Sequence, residues 1–268
     1  MIILPDSWKK LWGDTDWFEK IFALQGEEFR NMDGRRTLRF ELLGKSYFVK
    51  MYQGLGWWRI VKSIISLKKP PVLSAHNEWL AIKVLTELGV ETMTTVAYGE
   101  RGGTPAARQS FLVTEDLAET LSLEDFCRDW VNKPPSPTLK RALIKRLAFM
   151  SRTLHEHGIN HRDYYLCHFL LDVSSGCHAV DPEDIHVHLI DLHRVQVRKQ
   201  VPLRWRVKDL ASLYFSAMEI GLTQRDLFRF IKEYTQSPLS DALKLRQWYA
   251  ISVKAENLQR RFYRKYAP

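Results

Sequence analysis

Two aspartates 28 positions apart form a pair that can do chemistry together. Asp163 closes the tripeptide His161-Arg162-Asp163, and Asp191 sits in Ile190-Asp191-Leu192-His193 at the end of an apolar run. Moving a phosphoryl group onto a hydroxyl calls for a carboxylate beside the attacking oxygen, to orient it and accept its proton. Asp163 suits that role. A second carboxylate has to hold Mg²⁺ against nucleotide phosphates, and since Mg²⁺ keeps several waters, one or two protein carboxylates suffice. Asp191 suits that one. Upstream, Lys50 in Tyr47-Phe48-Val49-Lys50 can place an ammonium on the α- and β-phosphates, with Glu78 as its partner. Each residue alone has an ordinary reading: a bare Asp after a strand is a cap or turn, and a strand Lys or helical Glu is a solvated surface group. Their order along the chain favours a phosphotransferase that uses ATP.

The elements that must position these groups can be read from periodicity and punctuation. Residues 27–32, 37–43 and 47–52 read as three strands, separated by turns at Asp33-Gly34-Arg35-Arg36 and Gly44-Lys45-Ser46; Gly tolerates the positive φ of tight turns. Lys50 therefore falls on the third strand. Residues 74–88 predict a helix carrying Glu78, with Trp79, Ile82, Leu85 and Leu88 at helical spacing, Ser74 as cap and Gly89 as stop. Residues 96–99 and 110–115 add two strands. Helical pattern then dominates, over 121–130, 137–157, 208–220, 223–234 and 243–266, interrupted by a short strand pair at 169–172 and 186–192. This is the α+β, two-lobed protein-kinase-like layout, with a small β-rich N-lobe over residues 1–116 and a larger helical C-lobe over 117–268. In that frame the Gly34-Arg35-Arg36 turn stands where a glycine-rich loop would cover the phosphates. Arg35 and Arg36 either bind phosphate in bidentate fashion or belong to a plain basic hairpin. Glu115-Asp116-Leu117 is the hinge, with Glu115 and Leu117 offering backbone groups to adenine. Asp209, placed at the opening of a helix, either caps it or braces the catalytic loop.

Composition excludes more than it selects. Hydrophobic residues at 45% and charged residues at 26% suit a soluble globular chain of 268 residues. No apolar run approaches the roughly 18 residues that span a bilayer, and Met1-Ile2-Ile3-Leu4-Pro5-Asp6 does not read as a secretory signal. Cys127, Cys167 and Cys177 fall at no metal-ligand spacing and fit a reducing cytosol. A net charge of +9 attracts anions, yet the cations are spread and no zinc-finger or ribonucleoprotein signature is present, so no nucleic-acid partner is expected. His155, His157 and His161 read as capping and packing groups, not as a zinc site. Residues 54–69 mix Trp57, Trp58 and Ile60 with Arg59, Lys62 and Lys68. Such a segment can lie on an anionic membrane, dock an acidic partner helix, or pack on the upper lobe; all three readings stay open.

His161-Arg162-Asp163-Tyr164-Tyr165-Leu166-Cys167-His168-Phe169-Leu170-Leu171 resembles the lipopolysaccharide core heptose(I) kinase family of Gram-negative bacteria. So do Ile190-Asp191-Leu192-His193-Arg194, Arg204-Trp205-Arg206 with Lys208-Asp209-Leu210-Ala211, and Met93-Thr94-Thr95-Val96-Ala97-Tyr98-Gly99-Glu100. The resemblance implies an ATP- and Mg²⁺-dependent kinase, cytoplasmic and peripheral to the inner membrane, that phosphorylates the 4-hydroxyl of the first heptose on a lipid-linked core oligosaccharide. It implies Asp163 as catalytic, with Lys50, Glu78 and Asp191 serving ATP and metal. One position departs from ordinary kinases: His168 stands where an Asn metal ligand is usual, five residues after the base. Imidazole is a poor Mg²⁺ ligand, so His168 either touches phosphate or substrate, ligates metal weakly, or packs. An acidic carrier such as acyl carrier protein is a further expected partner. A protein kinase acting on tyrosine or serine, and a kinase-fold adaptor for an acidic partner, are the rival readings.

Overall fold

Strand β4 (Lys45–Tyr52) shows how the sequence sorts its side chains. Tyr47, Val49 and Met51 are buried on one face, so Ser46, Phe48 and Lys50 belong to the other, the two-residue period of a pleated strand. The computed structural model describes residues 1–32, 34–54, 74–104, 106–177 and 179–266. The basic, Trp-containing stretch over 55–69 and Asp33 of the first turn lie outside the described residues. The chain divides into two units, residues 1–83 with 93–118, and residues 84–92 with 119–268. A simple break after residue 116 would leave 84–92 in the first unit; their contacts group them with the second.

The first unit is one antiparallel sheet. Its strands are β1 (Ile2–Ile3), β2 (Glu27–Met32), β3 (Arg35–Leu42), β4, β5 (Thr95–Arg101) and β6 (Gln109–Glu115), in the order β1-β5-β6-β4-β3-β2. Helices α1 (Asp6–Trp12) and α2 (Trp17–Phe22), for which the sequence reading made no provision, supply rings to the buried face. Trp8 meets Tyr47 edge-on at 5.2 Å and Phe18 meets Phe111 at 5.0 Å. Edge-to-face pairs of this kind add to the area that each ring removes from water. Helix α3 (His76–Glu87) carries Glu78. Its entry is fixed by the Ala75 amide, which donates to Ser110 Oγ on β6 at 2.9 Å, and by Trp79 stacked on Tyr98 of β5 at 4.6 Å.

The second unit is mainly helical. Strands β7 (Thr120–Ser122), β8 (Ile159–Asn160), β9 (Phe169–Asp172), β10 (Val187–Leu189) and β11 (Gln196–Val197) form two small sheets, β10-β9-β7 and β11-β8. The helices are α4 (Leu123–Phe126), α5 (Pro137–Glu156), α6 (Leu203–Ala217), α7 (Gln224–Thr235), α8 (Leu239–Ala242) and α9 (Gln247–Tyr266). Residues 121 and 122, expected to open a helix, belong to strand β7 because Leu121 pairs with Leu171 on β9. Ser136 caps α5 with Pro137 at its first position, and a reciprocal Thr223–Asp226 box starts α7. Ala148, Leu210, Ala211, Tyr234, Ile251 and Ala255 form a core between α5, α6, α7 and α9. After α5, Gly158 turns the chain at φ +76°. A Cβ there would lie 1.7 Å from the Arg198 carbonyl oxygen, so only glycine lets β8 meet β11 and start the loop that holds Asp163.

Candidate active site

In the first unit the strand register decides what can meet. Thr37 and Leu112 flank Lys50 on the neighbouring strands, and Lys50 Nζ donates to Glu78 Oε1 at 2.5 Å. Glu78 is almost wholly buried, and its Oε2 has no hydrogen-bond partner among the described residues. A buried carboxylate needs a cation, so the pair holds the ammonium in one place. The two arginines of the first turn separate. Arg35 faces Tyr52 across the strands, with its guanidinium 5.4 Å from that ring, and so shares the face of Lys50. Arg36 lies one residue on, on the opposite face, and is held there by Glu28 Oε1 at 2.5 Å and the Leu24 carbonyl at 3.0 Å. Its expected part in covering phosphates does not fit that placement. At the hinge the Glu115 amide donates to the Thr94 carbonyl, while the Asp116 carboxylate accepts from Ser46 Oγ at 2.7 Å. Leu117 follows directly.

In the second unit the loop after β8 is organised around Asp209. Its carboxylate, fully buried on α6, accepts from the amides of His161 at 2.7 Å and Arg162 at 2.8 Å. Helix α6 starts at Leu203, so Asp209 is mid-helix and the capping alternative falls away. Arg162 adopts φ +77°, unusual for a residue with a side chain, and Lys208 Nζ donates to its carbonyl. His161 is buried, which pushes its pKa below the ordinary value and keeps the ring neutral; Nε2–H donates to the Ile190 carbonyl at 3.0 Å. That bond ties the Asp163 loop to the residue before Asp191. Asp191 itself sits at φ +60°, ψ 49°. His193 Nδ1 lies 2.5 Å from its Oδ1, and His168 Nε2 lies 3.7 Å from its Oδ2. His168 Nδ1–H donates to the Asp163 carbonyl at 2.6 Å. One imidazole thus spans the backbone of the first aspartate and the carboxylate of the second. Arg194 Nη1 completes the group, 3.3 Å from Asp163 Oδ2.

The partnership of Arg194 with Asp163 was not anticipated; a cation three residues after Asp191 was its only trace in the sequence. His155 bonds Tyr234 and His157 bonds the Thr153 carbonyl, so both pack as expected. Among the described residues no group of three His, Cys, Asp or Glu side chains could hold a metal. A second cluster, also unforeseen, braces β10. Glu91 accepts from Arg146 at 2.6 Å, from the Val187 amide at 3.0 Å and from His186 Nδ1 at 2.5 Å. Burial would raise the Glu91 pKa, but these partners carry it net below the ordinary carboxylate value. The hydrogen bond to Glu91, the charge of that carboxylate and Asp184 near Nε2 raise the His186 pKa above its ordinary value. Further along, Leu143, Ile144, Leu213, Leu227, Phe230 and Trp248 line an apolar cavity of about 490 Å³, with Lys140 and Asp226 at its wall.

Residues 19–234 match the lipopolysaccharide kinase (Kdo/WaaP) family. The chain is 50% identical over 268 residues to the lipopolysaccharide core heptose(I) kinase WaaP of Escherichia coli, covering 99% of each chain. It is 49% identical to the protein of that name from Pseudomonas aeruginosa, over 97% of this chain and 96% of that one. A solved structure described as WaaP in complex with acyl carrier protein superposes with a TM-score of 0.83 at 46% identity, over 96% of this chain and 99% of that chain.

The His186–Glu91 pair makes a pH prediction. A histidine whose folded pKa is raised contributes stability that is complete below its unfolded value and is lost as pH rises through the folded one. Urea unfolding at pH 6 and pH 8.5 should therefore show a loss for the wild type that His186→Gln lacks. Identical losses in both proteins would contradict the assignment.

Proposed function

The chain belongs to the lipopolysaccharide kinase (Kdo/WaaP) family, and from that premise we propose that it transfers the γ-phosphoryl group of ATP to the first heptose of the lipopolysaccharide core, at the 4-hydroxyl. The fold is the protein-kinase-like α+β fold. The observation that carries the reading is identity of about half the residues, over nearly the whole chain, with relatives named as heptose(I) kinases. Within it, Asp163 orients the acceptor hydroxyl and accepts its proton as the new P–O bond forms. Arg194 holds that carboxylate in place. Lys50, steadied by Glu78, anchors the nucleotide phosphates, Arg35 adds a cation on the same strand face, and the backbone at Glu115 and Leu117 receives adenine. Asp191 offers a hard oxygen donor suited to Mg²⁺, which when bound neutralises charge on the phosphates. His168 already donates Nδ1–H to Asp163, so it suits orienting Asp191 better than ligating the metal. The substrate of this reading is lipid-linked, and with it we place the protein peripherally, at the cytoplasmic face of the inner membrane; no helix among the described residues is long and apolar enough to cross a membrane.

A carrier protein is the second partner we propose. The relative solved with acyl carrier protein supports it, and a net charge of +9 gives an acidic carrier an electrostatic counterpart. The apolar cavity of the second unit has the lining that an acyl chain requires.

Two experiments test these readings. Asp163→Asn should lower kcat for phosphate transfer to purified core glycolipid by about 10²–10⁴, read by mass spectrometry of the core oligosaccharide, while ATP still raises the melting temperature. Turnover within tenfold of wild type would remove Asp163 from its role. Native mass spectrometry should show the wild type retaining acylated over unacylated carrier, and Leu213→Trp, which fills the cavity, losing that preference. Equal retention of both carriers by the wild type would overturn the cavity reading.

A further inference from the structure

Residues 192–208 contain Arg194, Arg198, Lys199, Arg204, Arg206 and Lys208, and not one Asp or Glu. The fold gathers part of this charge on a single indole. Trp205 in the first turn of α6 has Arg162 at 5.0 Å, Arg204 at 5.5 Å, Lys208 at 5.7 Å and Arg198 at 5.9 Å from its ring centroid. The four cations come from three places along the chain, and each place is pinned. Arg162 is fixed through its amide on Asp209. The Arg198 amide donates to the Gly158 carbonyl, at the site where a Cβ would collide. Arg204, Trp205 and Lys208 are on one helix. An indole face attracts cations, but clustered guanidinium groups repel one another unless an anion lies near them. Among the described residues, Arg162, Arg198 and Arg204 form no ion pair with a carboxylate; Arg198 is hydrogen-bonded to neutral Gln196. Arg162 Nε and Trp205 Nε1 are buried donors with no hydrogen-bond partner among those residues, a condition that an anion would relieve.

The counter-charge does not come from this segment. Residues 192–208 contain no Ser, Thr or Tyr that a phosphate could modify. Arg162 directly precedes Asp163, so the cluster adjoins the loop that carries the proposed base. We propose that the Trp205-centred cluster is an anion subsite that recognises an acidic group, a carboxylate or a phosphate, on the saccharide carrying the acceptor hydroxyl. The subsite rests on the kinase reading above and adds to it the side chains that read an acidic group beside the acceptor. Guanidinium groups suit both anions because each presents paired N–H donors to two oxygens.

The test separates this inference from the kinase reading by measuring binding without ATP. Deacylated core saccharide is titrated calorimetrically into wild type and the Arg198→Ala/Arg204→Ala protein, using the intact saccharide, a dephosphorylated form and a carboxyl-reduced form. The double variant should bind intact saccharide at least tenfold more weakly, and its acceptor KM should rise as much, with the KM for ATP unchanged and kcat within twofold. Removing the recognised anion should abolish the difference between the two proteins, and whichever stripped form does so names the source. Arg198→Lys/Arg204→Lys should recover part of the affinity. Equal affinity of wild type and double variant for intact saccharide overturns the subsite, as does an equal deficit on both stripped forms. Wild-type binding that the double variant loses, without phosphate transfer by either protein, would instead overturn the kinase reading and leave the subsite standing.

Discussion

One buried carboxylate organises the catalytic half of the second unit. Asp209 is inaccessible to water, and its charge is met by two backbone N–H groups in succession, those of His161 and Arg162. Leaving a buried donor unsatisfied costs about 1–3 kcal/mol, and the left-handed backbone of a residue with a Cβ costs roughly 1–2 kcal/mol. The two bonds offset the strain at Arg162 and so hold the loop in a shape it would not adopt alone. From that fixed point the rest follows in order. His161 reaches the Ile190 carbonyl, His168 reaches from the Asp163 carbonyl toward the Asp191 carboxylate, and Arg194 returns to the Asp163 side chain. Both aspartates are thereby registered to one anchor.

The first unit solves a separate problem by simpler means. Strand alternation buries Val49 and Met51 under α1 and α2 and turns Lys50 to the other face. Helix α3 then brings Glu78 into a site so dry that its carboxylate needs the ammonium. Two side chains that would be solvated elsewhere become a rigid pair. The same alternation explains why Arg35 and Arg36, adjacent and chemically alike, have different uses: one residue of register sends Arg36 to Glu28.

Local signals carried much of this in the amino-acid order. Period-two runs around Lys50, the glycines at 34, 44, 89 and 158, and the Pro137 start of α5 marked elements close to where they lie. The residues of the candidate site were legible because each stands on such an element or just beyond one. Tertiary pairing was less visible. Leu121 has helical neighbours in sequence, yet it is a strand because Leu171 lies opposite. The Glu91 cluster joins positions up to 96 residues apart, and no spacing rule announces it. Asp209 looked like a cap because the start of α6 was read five residues late, and Pro202 just before Leu203 was the overlooked boundary.

The account depends on Asp209 acting through the loop and not through the nucleotide. Asp209→Asn keeps one oxygen to accept from the two amides and turns an NH₂ toward the other. Single-turnover phosphate transfer to core glycolipid, measured beside the ATP-induced rise in melting temperature, is the direct test. The account predicts a fall in the transfer rate of at least about tenfold with the ATP-induced rise intact. Transfer at the wild-type rate, or a parallel loss of ATP binding, would contradict it.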